Sequence, residues 1–220
     1  MAISVAGNSF VYNETATTTD SYTGNSYTVG SGTDRAVVVF LSGCSASTSS
    51  GQGVSSITLG GNTPDATIES GISSRVWSGG YVFLNPSTGS QALAITTNGN
   101  QRALLAHAVE LTGVDQTSPV TWSNGSTDTP TPSSTDLNRT TVDNDAMHIA
   151  SLATRGGDAT TFSVTNGGTE INKADTGDNG TTDVEGISAY EAPATAGNAD
   201  FIISWTGDLR RTFVQLEIKP

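Results

Sequence analysis

The residues able to do chemistry are few. Two histidines, His107 and His148, and one cysteine, Cys44, are the whole supply of imidazole and thiol in 220 residues. Nucleophilic catalysis needs a nucleophile, a base within reach and a third group that orients the base. Neither histidine stands in such a motif: His107 follows Leu104-Leu105-Ala106 and His148 precedes Ile149-Ala150, both strand-like apolar runs. Both are read as core histidines. Cys44, with no base identifiable beside it, is read as a small buried or turn residue. No carboxylate pair is singled out by spacing, so no catalytic set is assigned and the chain is read as a non-enzyme.

Hard oxygen ligands are concentrated in one segment, Asp175-Thr-Gly-Asp178-Asn-Gly-Thr-Thr-Asp183. Asp175, Asp178 and Asp183 are the candidate ligands, and calcium is the cation that such oxygens suit. The segment departs from the helix-loop-helix calcium pattern, because Gly177 stands at a ligand position and Gly186 at that of the bidentate glutamate. A solvated acidic turn is the competing reading. Sugar rings pack on exposed aromatic faces, which makes the three tryptophans candidates for glycan contact. Trp77 and Trp205 lie in strand-like runs and are expected in the core, whereas Trp122 follows Pro119-Val-Thr and is the candidate glycan-stacking residue.

Charge narrows the partners. With 21 acidic and 9 basic residues the formal net charge is −12, so a phosphate backbone or an anionic membrane would repel most of the surface. Neither nucleic acid nor membrane is expected as a partner, and no apolar run approaches the roughly 18 residues of a membrane helix. The first basic residue is Arg35, so the start lacks the basic and apolar regions of a signal peptide. A lone cysteine excludes an intrachain disulfide, which leaves core burial or assembly to supply stability. The sequons at Asn13, Asn124, Asn138 and Asn179 are read as chance in a chain rich in Asn and Thr.

The elements that must position these residues read as strands. Apolar and β-branched runs recur at 36–41, 54–59, 75–84, 91–97, 104–111, 147–152, 161–165, 184–191, 200–205 and 212–218, bounded by Gly, Asn, Asp and Pro. That rhythm is the signature of a sandwich or barrel. Asn-Gly at 98, 124, 166 and 179 supplies the positive φ that tight hairpins need. Residues 101–111 also fit helical spacing, with Leu104, Ala108 and Leu111 in phase.

An internal repeat decides for strand: Gly89, Gly99 and Glu110 recur as Gly197, Gly207 and Glu217 at nearly constant offset. In the second copy Val214, Leu216 and Ile218 alternate with Phe213, Gln215 and Glu217, which is strand periodicity. The expectation is one domain over 1–220: an all-β, antiparallel β-sandwich of jelly-roll type built from two similar half-domains at about 30–112 and 141–219. A crossing at 113–140, with Pro119, Pro130 and Pro132, is expected as a functional loop or surface strap. Residues 3–12 are expected as an added pair of edge strands.

Asp34-Arg-Ala-Val-Val-Val-Phe-Leu41, Val54-Ser-Ser-Ile-Thr-Leu-Gly-Gly61, Val76-Trp77, Asn85-Pro86 and Glu110-Leu-Thr-Gly-Val-Asp-Gln-Thr-Ser-Pro119 carry a resemblance. Together they resemble a jelly-roll or concanavalin-like sandwich module of bacteriophage virion proteins and bacterial surface proteins, the Leu-Thr-Gly-Val-Asp-Gln-Thr-Ser-Pro element being the most distinctive. The resemblance implies a sandwich and no catalytic residues. With a start that carries no export signal, it leads to the expectation of a virion structural protein, made in the host cytoplasm. It would be a head decoration or cement protein, or a head- or tail-attached fibre or knob subunit. Such a protein binds other virion subunits and forms a homo-oligomer. The alternatives are a carbohydrate-binding module or adhesin and, third, a glycan-cleaving enzyme.

Overall fold

The computed structural model describes residues 2–15, 19–47, 53–70, 75–128, 134–141, 143–155, 161–177, 183–193, 195–206 and 210–220. Among the described residues there is no helix, and every strand pairing is antiparallel. The first large sheet runs β1 (Ser4–Thr15), β8 (Gln101–Thr112), β3 (Ala36–Ser45), β6 (Val76–Leu84), β5 (Ala66–Glu69). A small sheet of β2 (Ser21–Val29), β7 (Gly89–Thr97) and β4 (Val54–Leu59) accompanies it. The second large sheet runs β9 (Val120–Asp128), β16 (Arg210–Ile218), β11 (Met147–Arg155), β14 (Glu185–Glu191), β13 (Thr169–Asp175). Its small companion consists of β10 (Ser134–Thr140), β15 (Asn198–Ser204) and β12 (Ser163–Thr165).

The stacking of these sheets follows from side-chain alternation. On β3, Val37, Val39 and Leu41 pack with Ile57, Leu93 and Ile95 of the first small sheet. The intervening Ala36, Val38 and Phe40 pack with Met147, Ile149, Val214 and Leu216 of the second large sheet. A strand buried on both faces has no polar face to show, which is why Ala36-Val-Val-Val-Phe-Leu41 is an unbroken apolar run. On β16 the parity repeats: Val214, Leu216 and Ile218 face the first large sheet, and Phe213 joins Leu137, Phe201 and Ile203 of the other small sheet. The layers therefore run small, large, large, small. Val37, Val39, Val214, Leu216 and Ile218, all within the apolar or alternating runs of the sequence, are at most 1% exposed.

Strand order recurs with an offset of eight: β1-β8-β3-β6-β5 becomes β9-β16-β11-β14-β13, and β2-β7-β4 becomes β10-β15-β12. Local irregularities recur too. A register shift separates Val5 from Gly7 against β8, and another separates Val120 from Trp122 against β16. Glu110 lies opposite Val37 and Glu217 opposite His148, both glutamates buried, so the residues matched by sequence hold matching places. Residues 101–111 lie within β8, as the repeat requires.

Two details differ from the sequence reading. The N-terminal segment is one long edge strand, β1, paired only with β8. The crossing carries β9 and β10, the edges of a large and a small sheet, and Leu137 is fully buried in the outer core. β9 reads Val-Thr-Trp-Ser-Asn-Gly-Ser-Thr-Asp because an edge strand needs little apolar surface, so it lacks the pattern that marks central strands. At one flank the large sheets close tightly: a Cβ on Gly125 of β9 would sit 2.7 Å from the Glu69 carbonyl of β5. At the other, the Asn172 side chain donates to Asn8 Oδ1 (3.2 Å) and that of Asn13 to the Asp175 carbonyl (3.3 Å).

Candidate functional site

The interface between the two large sheets brings together a serine and a histidine that the sequence left apart. His107 on β8 points across it, and its Nδ1 lies 2.5 Å from Ser188 Oγ on β14. Phe10 of β1 stacks on the imidazole at 4.8 Å between centroids and 24° between planes. Nε2 has no partner among the described residues. Burial pushes the His107 pKa down to about 4, so the ring is neutral at pH 7. A Ser–His contact is the start of a nucleophilic pair, but access decides whether it can be used. Beside it lies a cavity of about 10 Å³ against Phe40, Ser42, Leu105 and Ser151, which has room for about one water and no substrate. Ser188 is 1% exposed and His107 4%. The pair acts as a polar pin between sheets.

His148 on β11 is buried on the other face of its sheet. Its Nδ1–H donates to the Ala199 carbonyl (3.0 Å), and Nε2 lies 2.9 Å from the Gln215 side-chain amide. Phe201 lies against the ring at 5.0 Å and Trp122 edge-on at 6.4 Å. With both ring nitrogens engaged, His148 ties the outer small sheet to the large one. Cys44 is also fully buried, at the end of the interface between the large sheets. Burial raises its thiol pKa while Arg155, Arg75 and Arg102 pull it down and Asp183 pushes it up.

Of the predicted metal ligands, Asp175 at the end of β13 and Asp183 just before β14 come together, and Asp178 lies outside the described residues. Glu185, the first residue of β14, completes a triad whose ligand oxygens all lie within 4.8 Å of one another. Sequence reasoning missed Glu185 because it tested a loop pattern. The available signal was strand spacing, since residues 183 and 185 are two apart and so share a side. Asp175 Oδ1 accepts from Gly177 N–H (2.7 Å), and Thr154 Oγ1 donates to Glu185 Oε2 (3.4 Å). These three residues could hold a hard cation.

The tryptophans divide as follows. Trp77 is 1% exposed, donates through Nε1–H to Gln101 Oε1 (2.9 Å) and lies flat against Gly43, where a Cβ would overlap the indole. Trp205 is buried under the Arg211 guanidinium, 4.9 Å from the ring centroid. Trp122 is half-buried on the edge strand β9.

A roomier cavity than the one beside His107 lies where sequence reasoning named no candidate. β4 and β5 end their sheets in different layers and are joined by residues 60–65, and between them opens a groove of about 530 Å³. Glu69 is fixed at its end, with Oε1 accepting from Tyr81 Oη (2.5 Å) and from Val54 N–H (3.0 Å).

No family model matches the chain, nor does a curated protein or a solved structure.

Proposed function

We propose that the protein is a structural subunit of a bacteriophage virion, a head decoration or cement protein or a fibre or knob subunit, that works by binding other subunits. In this reading it is built from two similar jelly-roll half-domains stacked through their large sheets. The observation that carries the architecture is the pattern of strand pairing. A long antiparallel ribbon that folds over on itself pairs its ends first, which gives the nested set β1·β8, β2·β7 and β3·β6, and again β9·β16, β10·β15 and β11·β14. β5 departs from a regular roll by pairing with β6.

A binding role is supported by what the titratable groups do. His107, His148 and Cys44 are all committed to the packing between layers, so the energy they contribute goes into holding the stack. The virion setting rests on the resemblance of the sandwich segments and the Leu-Thr-Gly-Val-Asp-Gln-Thr-Ser-Pro element. A quantitative protein census of purified particles tests it. The expected result is a fixed copy number per particle that survives gradient purification, whereas co-purification with host envelopes and absence from particles would sink the proposal.

A further inference from the structure

The groove between β4 and β5 is an open cleft whose walls come from two different layers. Its apolar floor is made by Val54, Ile57 and Pro64. On β4, Ser56 and Thr58 alternate with the inward Ile57 and lie on its outer face, so the hydroxyls offered to the groove are those of Thr63 in the connection and Thr67 on β5, which have no hydrogen-bond partner among the described residues. Each can donate and accept. At one end stands the exposed Glu69 carboxylate, whose Oε1 is held by Tyr81 and Val54. Because Tyr81 and Val54 already hold the carboxylate, a ligand need not order that group, and the hydroxyls beside it are free to turn toward a donor or an acceptor.

The equivalent place in the second half is built differently. Counting along the ladders from Glu110 and Glu217, Glu69 opposite Gly79 corresponds to Lys173 opposite Ile187. Lys173 Nζ donates across the gap to the Phe162 carbonyl (3.4 Å) and to Glu170 Oε2 (3.2 Å), and β12 lies in contact with β13. Charge at this place is thus reversed between halves, and the carboxylate-bearing groove is particular to the first.

The geometry points to the β4–β5 groove as a binding site for a short neutral saccharide, with Glu69 and the hydroxyls of Thr63 and Thr67 as its polar contacts. A sugar matches this lining: its hydroxyls donate and accept in turn, and its C–H faces suit Val54, Ile57 and Pro64. An anionic ligand would meet Glu69 and a chain of net charge −12. A cationic ligand would use Glu69 and leave the hydroxyls unpaired. A groove of about 530 Å³ falls in the range of about 300–1,000 Å³ that small-ligand sites occupy.

The inference does not rest on the virion reading, and the two fail separately, since a particle census is blind to sugar binding. The test is amide chemical-shift titration of the full chain with maltotriose, cellotriose and triacetylchitotriose, with spermidine as the cationic comparison, each to on the order of 10 mM. The expected result is saturable shifts confined to β4, β5 and their connection with at least one saccharide. Glu69→Gln, which keeps an acceptor for Val54 N–H, and the surface change Thr67→Val should each weaken that affinity about tenfold or more, with the melting temperature and the remaining spectrum unchanged. No saccharide shifting these amides, spermidine alone shifting them, or undiminished affinity in both folded variants would each overturn the assignment.

Discussion

Acid should weaken this protein through one buried imidazole. The ordinary pKa of 6.5 for a histidine falls to about 4 at His107 because the ring is 4% exposed and burial penalises its charge. The folded state therefore holds the neutral form, while the unfolded chain takes up a proton near pH 6.5. The contribution is fully present above pH 6.5 and is lost as pH falls from there toward 4. Linkage with these two pKa values gives a loss of about 2 kcal/mol between pH 7 and 5 and about 3 kcal/mol by pH 4. Urea denaturation at pH 7, 6 and 5, with the slope held common, measures it. His107→Val supplies the contrast, since the repeat places Val214 at the equivalent position of β16. That variant loses the Ser188 partner at every pH, at a cost of about 1–3 kcal/mol. It should lack the extra pH 7-to-5 decline of about 2 kcal/mol seen in the native chain. Equal declines in both proteins would show that His107 is not held neutral by the sheet interface.

Leu216, 1% exposed in the core between the large sheets, should cost about 2–5 kcal/mol when changed to alanine, read from the urea midpoint; a shift near zero would mean that the two sheets do not share that core. Gly125→Ala sets a methyl 2.7 Å from the Glu69 carbonyl and 2.8 Å from Ser70 Cα, both backbone, and should destabilise by about 1–3 kcal/mol. An unchanged midpoint there would deny the close approach of β9 to β5. Chelation with EDTA should leave the melting temperature unchanged if the Asp175–Asp183–Glu185 cluster is only an acidic turn. A calcium-dependent rise toward the about 2.7 kcal/mol expected at a hundredfold excess over Kd, abolished by Asp183→Asn, would make the Asp175–Asp183–Glu185 triad a metal site.

Some of this was legible in the residues alone. The all-β class followed from short β-branched runs cut by Gly, Asn and Pro, because strand propensity and turn chemistry are local properties. Offset matches such as Glu110 with Glu217 anticipated that residues 101–111 form a strand, against a helical spacing that pointed the other way. Val37 and Val39 were readable because a doubly buried strand cannot hide its apolar run, and Val214, Leu216 and Ile218 because they alternate along their strand. Edge strands were not: β9 and β10 are Ser/Thr-rich and one-sided, and local pattern cannot distinguish them from a strap.

What only tertiary structure decided is which distant groups meet. Ser188 reaches His107 across 81 residues, and the two sheets must stack before that contact exists. Glu185 joins Asp175 and Asp183 because β13 and β14 are ladder neighbours, a fact absent from any loop motif. The β4–β5 groove arises because two strands close in sequence end different layers about 10 Å apart, a spacing set by the side chains packed between sheets. Periodicity reports the face that a residue shows to its own strand, whereas a site is made by the faces that other strands turn toward it.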